Sequence, residues 1–103
     1  MINSIKLFGS TLKVEVKTIK EEKELLNALG FWEEFYDKIV LNKECSEHKM
    51  KNILIHELLH AIEDYTETEL GEERVSRLAN AIFSLIQDNP ELISWLSSPD
   101  KEV

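Results

Sequence analysis

His56-Glu57-Leu58-Leu59-His60 lies inside a run of helical periodicity from Lys49 to Asp64. Residues four apart on a helix sit one above the other on the same face. His56 and His60 therefore present two imidazoles to one point in space, with Glu57 beside them. Projected at about 100° per residue, Leu54, Ile55, Leu58, Leu59, Ala61 and Ile62 cover the broad face away from the histidines. Lys49, Asn52, His56, Glu57, His60, Glu63 and Asp64 form one polar stripe. Two residues break the pattern: Ile53 falls within the stripe, and Lys51 falls on the apolar side near the helix start. A helix that is apolar on most sides is a buried one. The run predicts a central helix whose polar strip forms the floor of a cleft.

Before this helix the chain has strand character. Ile5 and Leu7, then Leu12, Val14 and Val16, alternate with polar neighbours, and Gly9-Ser10 interrupts them as a tight turn does. A hairpin pairing Ser4–Phe8 with Thr11–Thr18 is expected. From Glu21 to Leu29 the spacing of Leu25, Leu26 and Leu29 predicts a short helix, stopped by Gly30. The aromatic cluster Phe31–Tyr36 reads as core packing plus an edge strand, and Asp37–Asn42 as a short strand. Ser46 is placed to cap the central helix.

Beyond it, Thr66–Glu69 reads as a loop and Glu72–Asp88 as a helix with Val75, Leu78, Ala79, Ile82, Leu85 and Ile86 inward. Asn89-Pro90 breaks that helix, and Pro90 suits the first turn of a last one ending near Leu96. Ile93, Trp95 and Leu96 are expected to cap the core. The fold class is α+β: a small, partly antiparallel sheet packed on the central helix, followed by a C-terminal helix pair.

The chain of 103 residues fits a single domain, 1–103. A net charge of -8 argues against a nucleic-acid partner, whose electrostatic footprint is basic. One cysteine, Cys45, forms no internal disulfide and reads as a small structural or surface residue. No apolar run is long enough to span a membrane, and no signal-peptide core is visible at the N-terminus. A cytoplasmic protein without membrane attachment is expected; the oligomeric state is open.

Two histidines and a glutamate at this spacing supply two ligands and a general base for metal-assisted hydrolysis. The pattern arises by chance in on the order of a few per thousand chains of this length at average residue usage. A catalytic zinc takes three protein ligands and leaves one position open. His48 is eight residues before His56, about 12 Å along a helix axis, too far to share the ion, and reads as solvent-facing. Glu72 and Glu73 open the next helix, which a short loop makes an antiparallel neighbour. Glu72 projects at the edge of that helix's packed face and is the favoured third ligand. Glu73 projects nearly opposite and is the alternative, with Glu69 behind both. Glu57 is then the catalytic base, and Zn2+ the expected ion. Glu63 or Asp64 can orient a ligand histidine, and Tyr65 is a candidate for polarising a carbonyl.

Taken together, His56-Glu57-Leu58-Leu59-His60-Ala61-Ile62, Glu72-Glu73-x-Val75-x-Arg77-Leu78-Ala79 and Asp88-Asn89-Pro90-Glu91-Leu92 resemble the small zincin-like metallopeptidases of phages and prophages, relatives of the ImmA/IrrE and SprT-like groups. The resemblance covers Asp37 to Leu96. It implies a compact zincin-like α+β fold, a glutamate as third ligand, a protein or peptide substrate and a phage or mobile-element setting. The expected function is zinc-dependent peptide-bond hydrolysis. The alternative is a zincin-fold binding or regulatory module that is latent or does not cleave.

Overall fold

The computed structural model describes residues 2–101. Four strands form one mixed sheet: β1 (Ser4–Leu7), β2 (Ser10–Lys17), β3 (Gly30–Glu33) and β4 (Lys38–Asn42), in the order β1-β2-β4-β3. Three helices follow: α1 (Glu47–Thr66), α2 (Glu72–Asp88) and α3 (Pro90–Ser97). β1 and β2 form the expected hairpin, with Leu7 opposite Ser10, and Phe8 and Gly9 turn the chain at positive φ. β2 and β4 run parallel, while β3 returns antiparallel to β4 and lies at the sheet edge. The α+β class, with a partly antiparallel sheet, is thus as expected.

β4 sits between two strands, and its Ile39, Val40 and Leu41 are fully buried, the uninterrupted apolar run of a strand covered on both faces. Ile39 and Leu41 share one face with Val14 and Val16 of β2 and Trp32 of β3, and this face packs on Met50, Ile53, Leu54 and Leu58 of α1. Ile53 is no misfit: it lies on the side of α1 that faces the sheet edge. The opposite flank of α1 carries Ile55, Leu59 and Ile62, which meet Val75, Ala79 and Ile82 of α2. α2 runs back along α1, since Asn52 pairs with Asn80 and the His48 ring lies against Phe83 nearer the start of α1. Ser46 caps α1 by accepting the Lys49 backbone N–H at 3.2 Å, as the sequence predicts.

Four expectations are corrected. Leu78 and Leu85 of α2, expected inward, are exposed, while Phe83 is buried, since a helix packed along one flank buries a narrow stripe. The segment 21–29 forms only a single 3-10 turn, Lys23–Leu26, which buries Leu25 and leaves Leu26 and Leu29 exposed. A nucleus of this length gains too few hydrogen bonds to propagate, and Leu25 alone finds a core. Gly30 is not a helix stop but the first residue of β3. A Cβ there would lie 2.6 Å from Ile53 Cγ2 and 2.9 Å from the Val40 carbonyl oxygen, so glycine lets the strand approach α1 closely. Trp95 and Leu96, expected to cap the core, are 72% and 62% exposed. α2 has already filled the free flank of α1, and α3 turns away at Pro90 with only Ile93 half-buried. The aromatic cluster also divides. Phe31 and Trp32 are half-buried in β3, whereas Phe35 and Tyr36 stand exposed in the 3-10 turn that follows.

Candidate metal centre

His56 and His60 sit four residues apart on α1, on the edge that α2 leaves uncovered. Their rings stand edge to face, 5.0 Å between centroids. Glu72 enters from the first residue of α2, on the far side of the loop. His56 Nε2 lies 2.6 Å from Glu72 Oε1, and His60 Nε2 lies 2.8 Å from Glu72 Oε2. One carboxylate thus bridges two imidazoles through opposite oxygens. Three potential ligand atoms from these residues lie within 4.8 Å of one another. Glu73, the alternative, points elsewhere: its carboxylate pairs with Arg77 at 2.6 Å, one turn along α2 on the exposed side. His48 is exposed and stays out of the group, as does Cys45.

The loop that brings Glu72 in is held by Glu63. Its Oε1 lies 2.6 Å from His60 Nδ1, and its Oε2 accepts the backbone N–H groups of Leu70 at 2.7 Å and Gly71 at 3.2 Å. These donors, the Leu70 amide foremost, hold the Glu63 carboxyl below the ordinary carboxylate range. Gly71 then turns the chain at φ 87°, which favours glycine, and α2 begins. The spacing of Glu63, three residues after His60, was a readable signal for the histidine contact. The two amide contacts cross from helix to loop and had none.

Glu57 departs most from its projection. It belongs to the polar stripe by sequence, yet is only 9% exposed, because β3 lies over this part of α1. Burial raises its pKa to about 7. A positive charge on His60 opposes that rise, Glu72 adds to it, and the Trp32 backbone N–H, donated from the sheet edge, opposes it. His60 shows the reverse balance. Burial pulls its imidazolium down, but Glu63, Glu57 and Glu72 together outweigh this and raise its pKa. Carboxylate oxygens face both of its nitrogens, an arrangement that favours the doubly protonated ring over the neutral one.

Comparison with protein-family models, with curated proteins and with solved structures returns no significant match. The geometry of the centre is therefore the ground on which its chemistry is read. Two imidazole nitrogens and a carboxylate oxygen form a donor set that zinc accepts in catalytic sites. Two ligands on a zinc at about 2.0–2.1 Å sit roughly 3.3 Å apart in a tetrahedral arrangement. Glu72 would withdraw by roughly 0.5–0.7 Å to admit the ion, and its 69% exposed side chain has room to do so.

A cavity of about 590 Å³ opens beside His60, lined by Trp32, Glu63, Asp64, Glu67, Thr68 and Glu69. Its wall on the sheet side is tied together by side-chain contacts. The Trp32 indole donates to Asp64 Oδ2 at 2.5 Å and meets the Tyr65 ring edge-on. The Tyr65 hydroxyl in turn donates to Asp37 Oδ1 at 2.7 Å, which commits it to joining α1 with the β3–β4 turn rather than to polarising a carbonyl. Asp64 is likewise engaged by Trp32, which leaves Glu63 as the carboxylate that orients His60. Among the described residues, no helix is long and apolar enough to cross a membrane.

Proposed function

We propose that this chain is a zinc-dependent peptidase of the zincin-like type. The observation that carries the reading is the convergence of His56 Nε2 and His60 Nε2 on Glu72, beside a largely buried Glu57. A bound zinc supplies a water acidified toward neutral pH and a positive charge facing the developing oxyanion.

The residues divide the remaining work. His56, His60 and Glu72 hold the ion. Glu57, with a pKa of about 7, accepts a proton from the attacking water and returns it to the leaving amine. Burial makes this carboxylate a stronger base than an exposed glutamate in the metal-free chain, and a nearby dication would draw its pKa back down. The Trp32 amide keeps the Glu57 carboxylate turned toward the sheet edge. The cavity between β3 and the loop after α1 is open to solvent and large enough for side chains of an extended peptide. The likeness to small phage and prophage peptidases agrees with this reading, with a peptide or protein as substrate.

The test is metal content and hydrolysis together. The purified chain should carry about one zinc and cleave an unstructured protein such as denatured casein. His56→Ala should lose both. A wild-type chain that takes up no zinc on titration would overturn the proposal.

A further inference from the structure

The carboxylate of Glu63 meets three donors from two parts of the chain, one on α1 and two on the loop. We infer that Glu63 is a positioning residue that makes the metal-binding form of His60 and the observed conformation of the loop at Leu70 and Gly71 depend on each other.

A carboxylate offers acceptors only. One oxygen takes the proton on His60 Nδ1, and the other takes the amides of Leu70 and Gly71. A neutral His60 that keeps its proton on Nδ1 has a lone pair on Nε2, the nitrogen that faces His56 and Glu72. Glu72 competes for the opposite tautomer, since its carboxylate would draw the proton to Nε2. Glu63 prevails on two grounds. Its side chain is 14% exposed against 69% for Glu72, and a hydrogen bond shielded from water is the stronger. It is also aimed by two backbone amides, whereas Glu72 is held only by the two histidine side chains. The same two amides fix Leu70 and Gly71, directly ahead of the first residue of α2, and so place Glu72. One side chain therefore sets the second ligand's tautomer and the third ligand's position.

Glutamine cannot replace it. An amide carries an acceptor at one end and donors at the other. With its oxygen toward the loop, its nitrogen faces His60 Nδ1, and the proton must move to Nε2, removing the metal-binding lone pair. With its oxygen toward His60, its nitrogen opposes two backbone N–H groups and the loop is released. Each orientation loses one half of the tie.

The functional consequence rests on the zinc reading, but the tie itself belongs to the metal-free protein and is measured there. Imidazole nitrogen NMR shifts report the His60 tautomer at a pH where the ring is neutral, and hydrogen exchange reports the Leu70 and Gly71 amides. Wild type should show the proton on Nδ1 and slow exchange at both amides. Glu63→Gln should lose one of the two, and its zinc affinity should fall roughly 10–100-fold. Glu91→Gln, an exposed carboxylate on α3 outside the site, should change neither. A wild-type His60 protonated on Nε2, or a Glu63→Gln variant that keeps both tautomer and amide protection, would overturn the inference. Should Glu63→Gln not fold, the wild-type tautomer alone decides. Absence of zinc uptake would sink the peptidase proposal while leaving these two readouts intact.

Discussion

α1 and α3 are both amphipathic, yet they meet opposite fates. α1 is held on two flanks, by the sheet and by α2, and its polar edge is further tied by Glu63 to the loop and by Asp64 and Tyr65 to Trp32 and Asp37. α3 presents Leu92, Trp95 and Leu96 to solvent and buries no residue. Apolar periodicity is the same signal in both helices. What differs is whether a neighbouring surface remained to receive it. Polar residues show the converse: Glu57 is buried because β3 covers it, while Glu73, with the same side chain, stands in water against Arg77. Charge and hydrophobicity along a helix state a preference, and the neighbours decide whether it is met.

This contrast can be broken most forcefully at Glu57. Glu57→Gln should keep the zinc and lower hydrolysis by about 10²–10⁴-fold, the usual worth of a positioned general base, read as kcat/KM on a peptide substrate. The same change should stabilise the metal-free protein above neutral pH. The Glu57 pKa is raised from 4.5 to about 7, so the folded state binds the proton more tightly than the unfolded one. Its stabilising contribution is complete below pH 4.5 and is lost as pH rises through 7. The full shift is worth on the order of 3 kcal/mol. Chemical denaturation of the chelated protein at pH 5 and pH 8 should show wild type losing stability across that interval, with a smaller loss in Glu57→Gln. An unchanged pH dependence would mean that Glu57 is not buried as a carboxylic acid.

The two glutamates that open α2 give the next test. Glu72→Ala should weaken zinc binding by at least about 100-fold, on the scale of losing one of three ligands, while Glu73→Ala should leave it unchanged in a chelator competition assay. Equal effects would remove the distinction between a bridging and a solvated carboxylate. Where His60 is doubly protonated, metal binding should also release a proton, because the ring must give up its Nε2–H before it can ligate. Zinc affinity should therefore fall on acidification through the raised His60 pKa, measured by titration at stepped pH.

Gly30 tests the contact between sheet edge and helix. Gly30→Ala should destabilise the protein by roughly 1–3 kcal/mol through overpacking, because one of the two obstructing atoms belongs to the β4 backbone and cannot yield. It should also move β3 and so disturb the Trp32 amide at Glu57. The smallest effect is expected on α3. Trp95→Ser and Leu96→Ser should each change stability by within about 0.5 kcal/mol, since neither side chain is buried. A larger loss in urea denaturation would show that α3 is packed in solution.

The sequence alone determined a good deal. The alternation of Leu12, Val14 and Val16, the unbroken Ile39-Val40-Leu41 and the periodicity of α1 and α2 specify their elements locally, since each pattern matches the repeat of one backbone geometry. The Ser46 cap and the Pro90 start are equally local. His56 and His60 are neighbours by helix geometry alone, and the projection of α2 separated Glu72 from Glu73. Only the tertiary structure decided that Glu57 is buried, that Gly30 serves a close approach rather than a helix end, that Glu63 spans helix and loop, and that α3 caps nothing. Each of these depends on which surfaces meet, and residues as distant in sequence as Trp32 and Asp64 carry no shared periodicity to announce it. Spacing along one helix can align two imidazoles; setting Glu72 against them, and burying Glu57 beside them, took a loop and a strand edge that only the folded chain brings together.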